Sequence, residues 1–511
     1  MSTEGRTEKA GKNFLYGIFN KLIFLILTFF SRRIFIHYIG VQYLGINGLF
    51  GNILSLLTMA DLGLGVAMSF TFYEPLANHN QEKIAGLVNF YRKIYNIIAL
   101  SVAVIGAALT PFLKYLVNME TDIPYLHVYY LMFVANIVIS YLFVYKSTII
   151  SADQKSYIIS TYNLILNVLK IILQIVFMIV LKNYFIYLMM EIMYTLFNNL
   201  VISYKADKLY PYIKRGNGTI LEKREKKKIF NNIKSVFIYK ISNVLLNGVD
   251  NIVLSVVVGT IYVGFYANYQ TITTNINAFV TIIFNAVTAG VGNMVVTENK
   301  ENRYKVFKVM QMVSFWLSGI IAVCMLFVIQ DFIVMWVGTS FLLDDITVIA
   351  IVLNLYFFTT MNPIWTFREA TGLYQKTKYV MLVAAGVNLI LSIIMAHQLG
   401  VSGVIFATVI SRIVTYFWYE PRLLFQLFFE KNVFTYYMEY IINILINVGA
   451  VLLLYFIFSQ MSMPQNRIYS FILKGIVSFI IINLLMLIRY IKTDEFKYGI
   501  EKVKCLFKGK A

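Results

Sequence analysis

The sequence predicts an all-α integral membrane protein of fourteen transmembrane helices, arranged as two pseudo-symmetric six-helix lobes followed by a C-terminal helix pair. Three observations carry this. The 511 residues are 59% hydrophobic and only 14% charged, too little polar surface for a soluble chain of this length. Apolar segments near the ~20 residues that cross a bilayer recur from end to end. Of the 44 Lys and Arg residues, 34 fall in alternate loops, at the span ends that border them or at the two chain ends, three in the other loops and seven deeper inside spans. That asymmetry is the positive-inside pattern. Runs such as Phe14 to Ile39 and Ile97 to Leu113 are continuously apolar, without the alternation of barrel strands. Since lipid satisfies no backbone polar group, such spans are helices.

The first apolar run, 14–39, is too long for a signal-peptide core and lacks a small-residue cleavage site, so it reads as span 1. Spans 2 to 6 follow at 43–70, 86–113, 126–149, 157–181 and 184–204, giving an N-lobe over 1–204. The basic stretch 205–229, with Glu222-Lys-Arg-Glu-Lys-Lys-Lys228, is a cytoplasmic linker. Spans 7 to 12, at 230–258, 262–294, 306–329, 346–366, 379–397 and 401–419, form a C-lobe over 230–425. Spans 13 and 14, at 433–458 and 468–489, lie in 426–490, and 491–511 is a basic cytoplasmic tail. Phe496, Ile500, Val503 and Phe507 recur there at helical spacing, as in a helix lying on the inner leaflet. An even span count and the charge asymmetry place both termini in the cytoplasm. The net charge of +19 then orients the chain against anionic lipid and does not signal nucleic acid. Cys324, inside a span, and Cys505, in the tail, sit in different environments and suggest no disulfide.

An internal repeat relates the lobes at an offset of 219 residues. Gly40-Val-Gln-Tyr43-Leu-Gly45 matches Gly259-Thr-Ile-Tyr262-Val-Gly264, Lys21 falls on Lys240, Ile53 on Ile272 and Ala67 on Ala286. Both Gly–Tyr–Gly sets are tight outer turns between the first two spans of a lobe. Parallel repeats of this kind mark transporters, with the binding site at their interface near the midplane.

Ionisable groups within spans cost ~2.5–3.5 kcal/mol each on insertion scales, and by default they face a wet cavity. Lys21 and Arg32 share a face of span 1, about 16 Å apart, while Arg33 points elsewhere. Asn163, Asn167, Lys170 and Gln174 form a stripe on span 5; Lys240, Asn247 and Asn251, beside Asp250, form one on span 7. Span 2 aligns Asn47, Thr58 and Asp61, span 6 aligns Glu191, Thr195 and Asn198, and span 8 is polar throughout. An isolated Asn or Thr more often pairs helix to helix, whereas the cations argue for a hydrated chamber. Arg grips phosphate with a planar fork and Lys supplies a point charge. Asn, Gln and Thr suit hydroxyl-rich cargo, and the 37 tyrosines can stack on sugar rings. A phosphorylated glycan with a lipid tail fits both sides of this chemistry. Lys21, Arg32, Lys170, Lys240, Asn247 and Asn251 are the expected substrate contacts. Asp61, Glu191 and Asp250 are the expected ion-coupling carboxylates, since burial favours their neutral form and permits proton exchange.

Soluble-enzyme chemistry is absent from the pattern. His37, His79, His127 and His397 are scattered without metal-ligand spacing. No G-x-x-x-x-G-K-[ST] loop encodes an ATP engine, and no cofactor is expected. Gly63-Leu-Gly65 lacks the third glycine and the strand of a dinucleotide site.

The stretch Arg33-Ile-Phe-Ile-His-Tyr-Ile-Gly-Val-Gln-Tyr-Leu-Gly-Ile-Asn-Gly-Leu-Phe-Gly-Asn-Ile-Leu54 resembles the opening of bacterial polysaccharide repeat-unit flippases. So do Ala60-Asp-Leu-Gly-Leu-Gly65, Tyr73-Glu-Pro-Leu-Ala77, and Val249-Asp-Asn-Ile-Val-Leu254 with Val263-Gly-Phe-Tyr266. These belong to the multidrug/oligosaccharidyl-lipid/polysaccharide exporter superfamily. The resemblance rests on spans 1–3 and 7–8, and on span count and order beyond them. It implies a MATE-like fold whose lobes alternate between inward-open and outward-open states. It further implies export of an undecaprenyl-diphosphate-linked glycan across the bacterial plasma membrane for cell-surface polysaccharide biosynthesis. Coupling would be to an ion gradient, and polymerase and glycosyltransferases of the same pathway would be partners. Relatives that flip the peptidoglycan lipid precursor use their last two spans as a lipid-tail groove, which implies the same for spans 13 and 14. A cation-coupled multidrug exporter is the alternative, disfavoured by the cationic balance. A membrane-embedded glycan polymerase or acyltransferase is a second, disfavoured by the short outer loops near Lys114 to Pro124 and Gln330 to Asp345.

Overall fold

The structure is a computed structural model, described for residues 23, 25–58, 68, 71–72, 74–76, 78–118, 123–153, 155–213, 248–371 and 373–507. Every regular element among them is helical. The chain divides into two compact units, Met1–Gly264 and Phe265–Ala511.

In the first unit, α1 (25–38) and α2 (Val41–Leu57) meet at Gly40. Its φ of 106° and ψ of 158° are accessible only to a residue without a Cβ. Then come α3 (Gln81–Leu109), α4 (Leu126–Tyr141), α5 (Val144–Ala152), α6 (Ser156–Leu181), α7 (Tyr184–Leu209) and α8 (Gly248–Val258). The Asn80 side chain accepts the Lys83 backbone N–H at 3.0 Å and starts α3. Lys182 in the left-handed region ends α6, and Asn183 accepts the Phe185 N–H to begin α7, so a two-residue turn makes an antiparallel hairpin. Tyr210, just past α7, donates to Asp153 at 2.7 Å. Burial first, and then that carboxylate, push its hydroxyl pKa up, so Tyr210 stays a donor.

In the second unit lie α9 (Thr260–Thr297), which begins in the last residues of the first, α10 (Lys300–Trp336), α11 (Asp345–Thr360), α12 (Asn362–Ala370), α13 (Tyr374–Val414), α14 (Tyr416–Leu424), α15 (Phe434–Gln460), α16 (Arg467–Tyr490) and α17 (Asp494–Phe507). Asn299, Asp344 and Asn466 cap α10, α11 and α16 through their side-chain oxygens.

Eight helices among the described residues are long and apolar enough to cross a membrane, or nine if the pair α4 and α5, bent by 45°, is one span. Their outward side chains are apolar, with Val180 68% and Ile488 72% exposed, as lipid contact requires. That count covers the described residues alone, and the expected spans 1, 2 and 7 lie partly outside them. α2 and α8 are short over their described bounds, and α9 is interrupted by Asn268, Gln270, Thr271, Asn275 and Asn277. The segment Tyr379–Phe429 counts once although it has 51 residues, which would make a straight helix of ~76 Å. It is broken at Gly400, where φ is 60° and ψ −130°. A methyl group on Gly403 would collide with the Met395 carbonyl, so the chain doubles back there. The expected spans 11 and 12 meet at this glycine.

Two of the seven cations inside the expected spans, Lys474 and Arg412, are paired within this unit. Lys474 pairs with Asp331 at 2.7 Å and ties α16 to α10. Arg489 holds both carboxylate oxygens of Glu439 at 2.8 Å, and Trp316 donates to Asn483 at 3.0 Å. Between these ties Val323, Leu454, Ile482 and Met486 are buried together, so α16 is sealed along α10. Arg412 donates to Asn354 at 2.7 Å. Arg368, expected in a cytoplasmic loop, is instead buried in α12 and bonded to Glu420 at 2.6 Å, with Trp365 on the same carboxylate at 3.1 Å. The first turns of α17 lie on α10, with Phe496 stacked on Trp316 at 6.0 Å and Glu495 paired to Lys308.

The Lys474–Asp331 tie makes a direct prediction. Lys474→Met and Asp331→Asn should each lower the melting temperature, and the double variant should recover part of the loss. A coupling of ~0.5–3 kcal/mol is expected for two groups in contact. Additive losses in a thermal unfolding series would show that the pair contributes nothing.

Candidate functional site

A cavity of about 380 Å³ lies inside the first unit between α1, α2, α4, α6 and α7. Its polar wall is Thr28, Ser31, Arg32, Asn47, Asn136, Lys170, Gln174 and Glu191; Phe35, Leu44, Met132, Phe133, Leu188 and Ile192 are among its apolar lining. Helical spacing explains the convergence. Arg32 turns to the cavity, whereas Arg33, 100° further round, is exposed. Lys170 and Gln174 are one turn apart on α6, and Tyr187 and Glu191 one turn apart on α7.

The cations differ in state. Lys170 Nζ donates to both Glu191 oxygens, at 3.0 and 2.9 Å, and lies 4.7 Å from the centroid of the Tyr194 ring. Arg32 Nη1 is buried and has no hydrogen-bond partner among the described residues. Leaving a donor of a charged group unsatisfied costs a few kcal/mol, so this wall favours an anionic acceptor. Asn136 Oδ1, on the facing helix, is likewise without a partner among the described residues. Gln174 is held in place by donating to the Tyr187 carbonyl at 3.2 Å.

Tyr187, which lines the cavity, belongs to a cluster of aromatic rings beside the Gly40 turn. Tyr184 stacks on Tyr187 at 6.0 Å and meets Tyr43 at 4.7 Å and Tyr129 at 4.8 Å. Its hydroxyl donates to Asn47 at 2.8 Å. These rings pack on one another.

The Gly40 turn also carries the internal repeat. Gly259, like Gly40, has a positive φ, of 138°. A methyl on Gly45 would strike the Thr260 carbonyl oxygen, and one on Gly264 would lie 2.8 Å from the Val41 carbonyl oxygen. At the offset of 219, Gly45 corresponds to Gly264 and Val41 to Thr260. The contact is therefore reciprocal, and each helix start packs its glycine on the other's backbone. Asn118 reinforces it, donating its N–H to Thr260 Oγ1 at 2.9 Å and accepting the Thr260 N–H at 2.8 Å. Ser255 donates to the Leu116 carbonyl at 2.7 Å.

Of the residues expected to bind substrate or couple ions, the structure brings Arg32, Lys170 and Glu191 onto one cavity. Asp250 and Asn251 are buried in α8 but do not line it. Lys21, Lys240, Asn247 and Asp61 lie outside the described residues. Sequence reasoning missed Phe35, Asn136, Tyr184 and Tyr187. A signal for two of them existed: Tyr184, Tyr187, Glu191, Thr195 and Asn198 follow one another at spacings of three and four, so the polar stripe of α7 begins with two tyrosines. Among the described residues no three His, Cys, Asp or Glu side chains gather as metal ligands would.

No family model matches the chain, and no curated protein matches its sequence. Solved structures do match its fold. The lipid II flippase MurJ in an inward closed conformation superposes with a TM-score of 0.69 at 16% identity, covering 94% of this chain and 100% of that one. An inward-facing multidrug resistance MATE family transporter of the MOP superfamily gives 0.58 at 13% identity, covering 78% and 94%. The Vibrio cholerae MATE transporter VcmN, as a point mutant, gives 0.55 at 13% identity, covering 84% and 98%. The chain thus has the all-α membrane fold shared by these transporters.

Proposed function

We propose that this chain, which has the fold of the multidrug/oligosaccharidyl-lipid/polysaccharide exporters, is a flippase for a polyprenyl-diphosphate-linked oligosaccharide. The carrying observation is Arg32: a guanidinium on a cavity wall with a buried N–H that finds no acceptor among the described residues. A diphosphate supplies that acceptor. Asn47, Asn136 and Gln174 around it suit sugar hydroxyls. The MurJ likeness supports a lipid-linked cargo, and a cationic wall suits a cationic drug poorly.

The Lys170–Glu191 pair supplies the coupling. A phosphate arriving at Lys170 competes with Glu191 for the ammonium, and the carboxylate that has lost that partner is free to take a coupling cation. Binding of substrate and of that cation then favour each other, by the reciprocity of linked equilibria. Alternation of the two lobes exposes the loaded cavity to either leaflet, with the glycine seam closed in one of the two states. In this reading the cation-rich side of the membrane is the cytoplasmic one, and cargo moves from the inner to the outer leaflet.

The test is purified protein in proteoliposomes with a fluorescently labelled polyprenyl-diphosphate oligosaccharide, its leaflet read by quencher access. Protein-dependent flipping is expected. No flipping, together with efflux of cationic dyes, would replace this reading by a drug exporter. Glu191→Gln should keep substrate binding but abolish the response of flipping rate to an imposed H+ or Na+ gradient. An unchanged response would remove Glu191 from coupling.

A further inference from the structure

Resting on the reading of the cavity as the seat of an anionic lipid-linked head, we infer that the groove between α6 and α7 holds the polyprenyl chain of the same molecule. This groove has a volume of about 430 Å³ and is lined by Leu166, Leu169, Leu173 and Phe177 from α6 and by Met193 and Phe197 from α7, among others. The four α6 residues follow at spacings of three and four, so they form one stripe ~16 Å long. Leu169 and Phe197 are each about half exposed, so the groove opens sideways to lipid.

Any span presents leucines to the bilayer. What sets this groove apart is its end wall. Lys170 lines both the groove and the polar cavity. Its ammonium sits between the Tyr194 ring, which belongs to the groove, and the Glu191 carboxylate, which belongs to the cavity. One cation thus stands where an apolar channel meets a polar one. That is the layout an amphiphile needs at the joint between an anionic head and a hydrocarbon tail: the phosphate neutralised at the joint, the chain running outward along α6. A diacyl lipid with no anion at this depth gains nothing from Lys170.

The groove is also a better seat than the helix pair α15 and α16. That pair is tied to α10 by Lys474–Asp331 and the Trp316–Asn483 bond and is sealed by buried side chains between them. An apolar pocket of about 250 Å³ between α10, α11 and α15 has no Lys, Arg, Asp or Glu in its lining. It serves as a control site.

The test uses the full chain in proteoliposomes and undecaprenyl diphosphate bearing a diazirine on an isoprene unit near the diphosphate. Photolysis should label residues of α6 and α7, and unlabelled undecaprenyl diphosphate should compete the label away. Leu173→Trp and Met193→Trp, which narrow the groove from opposite walls, should each slow flipping of the undecaprenyl-linked oligosaccharide about tenfold, the loss of roughly two buried methylenes. Both variants should keep the melting temperature of the unmodified protein, which shows that they are folded. Leu353→Trp in the control pocket should leave the flipping rate unchanged. No effect of either groove substitution, an equal loss in Leu353→Trp, or label confined to α10 and α15 would overturn the groove assignment. So would label from a diazirine-bearing diacyl phosphatidylglycerol that undecaprenyl diphosphate does not displace, since ordinary lipid then fills the groove. Unmodified protein that does not flip the undecaprenyl-linked oligosaccharide would overturn the transport reading itself.

Discussion

Arg32→Ala is expected to abolish flipping of the diphosphate-linked oligosaccharide while leaving the protein in the membrane at its normal level. The side chain lines the cavity, and its buried Nη1 lacks an acceptor among the described residues. Its loss therefore removes no bond to those residues at that atom, and folding should be little affected. The substrate would lose one or two charge-assisted hydrogen bonds, each contributing ~1.5–3 kcal/mol. At ~1.4 kcal/mol per decade, that is a loss of roughly ten- to ten-thousandfold. Arg32→Lys should retain an intermediate activity, because the point charge survives while the planar fork does not. Flipping assays on proteoliposomes matched for protein content decide this. Full activity in Arg32→Ala would remove the diphosphate from this wall. The companion substitution Lys170→Ala should be less clean, because it also strips Glu191 of its cation.

Gly45→Val is expected to block the cycle by a different route. The Gly45 position faces the Thr260 carbonyl with no room for a single methyl group, and Gly264 faces the Val41 carbonyl oxygen in the same way. A side chain there pushes backbone against backbone, which cannot move aside as a side-chain tip can. Overpacking typically costs ~1–3 kcal/mol, and a backbone contact puts this seam at the upper end. The seam cannot then close, so the variant should lose flipping and melt at a lower temperature. Gly264→Val should behave alike, since the repeat makes the two contacts equivalent. Gly51→Val is the control, because nothing lies within 4 Å of a Cβ at that position. Gly45→Val with unaltered rate and melting temperature would show that the closed seam plays no part in transport.

Much of this molecule was legible in its sequence where helix geometry alone converts spacing into direction. The exposure of Arg33 and the cavity position of Arg32 follow from a 100° step. The common face of Lys170 and Gln174, and the face of α7 that bears Glu191, follow from a period of 3.6. The glycines of the outer turns were also legible: only a residue without a Cβ reaches φ of 106° or 138°, and the repeat marked both positions. The sequence did not show which in-span cations have partners. Seven within spans suggested a single chamber, yet Lys474 is bonded to Asp331 and Arg412 to Asn354. Those partners are 143 and 58 residues away, and no periodicity reports them. The same distance hid the buried Arg368–Glu420 pair, whose arginine looked like an ordinary loop cation.

The sequence by itself determined that this chain is a helical membrane protein, which way its helix faces turn, and where its repeat begins. Those properties depend on local geometry and on the free energy of placing each side chain in lipid or water, both of which act within one helix. Only the tertiary structure decided which polar faces meet. It joined Lys170 to Glu191 and left Arg32 with a buried N–H unmatched among the described residues. It set an apolar groove against the same lysine. Each outcome depends on which helix becomes whose neighbour, and that is settled by packing and pairing between segments remote in the chain.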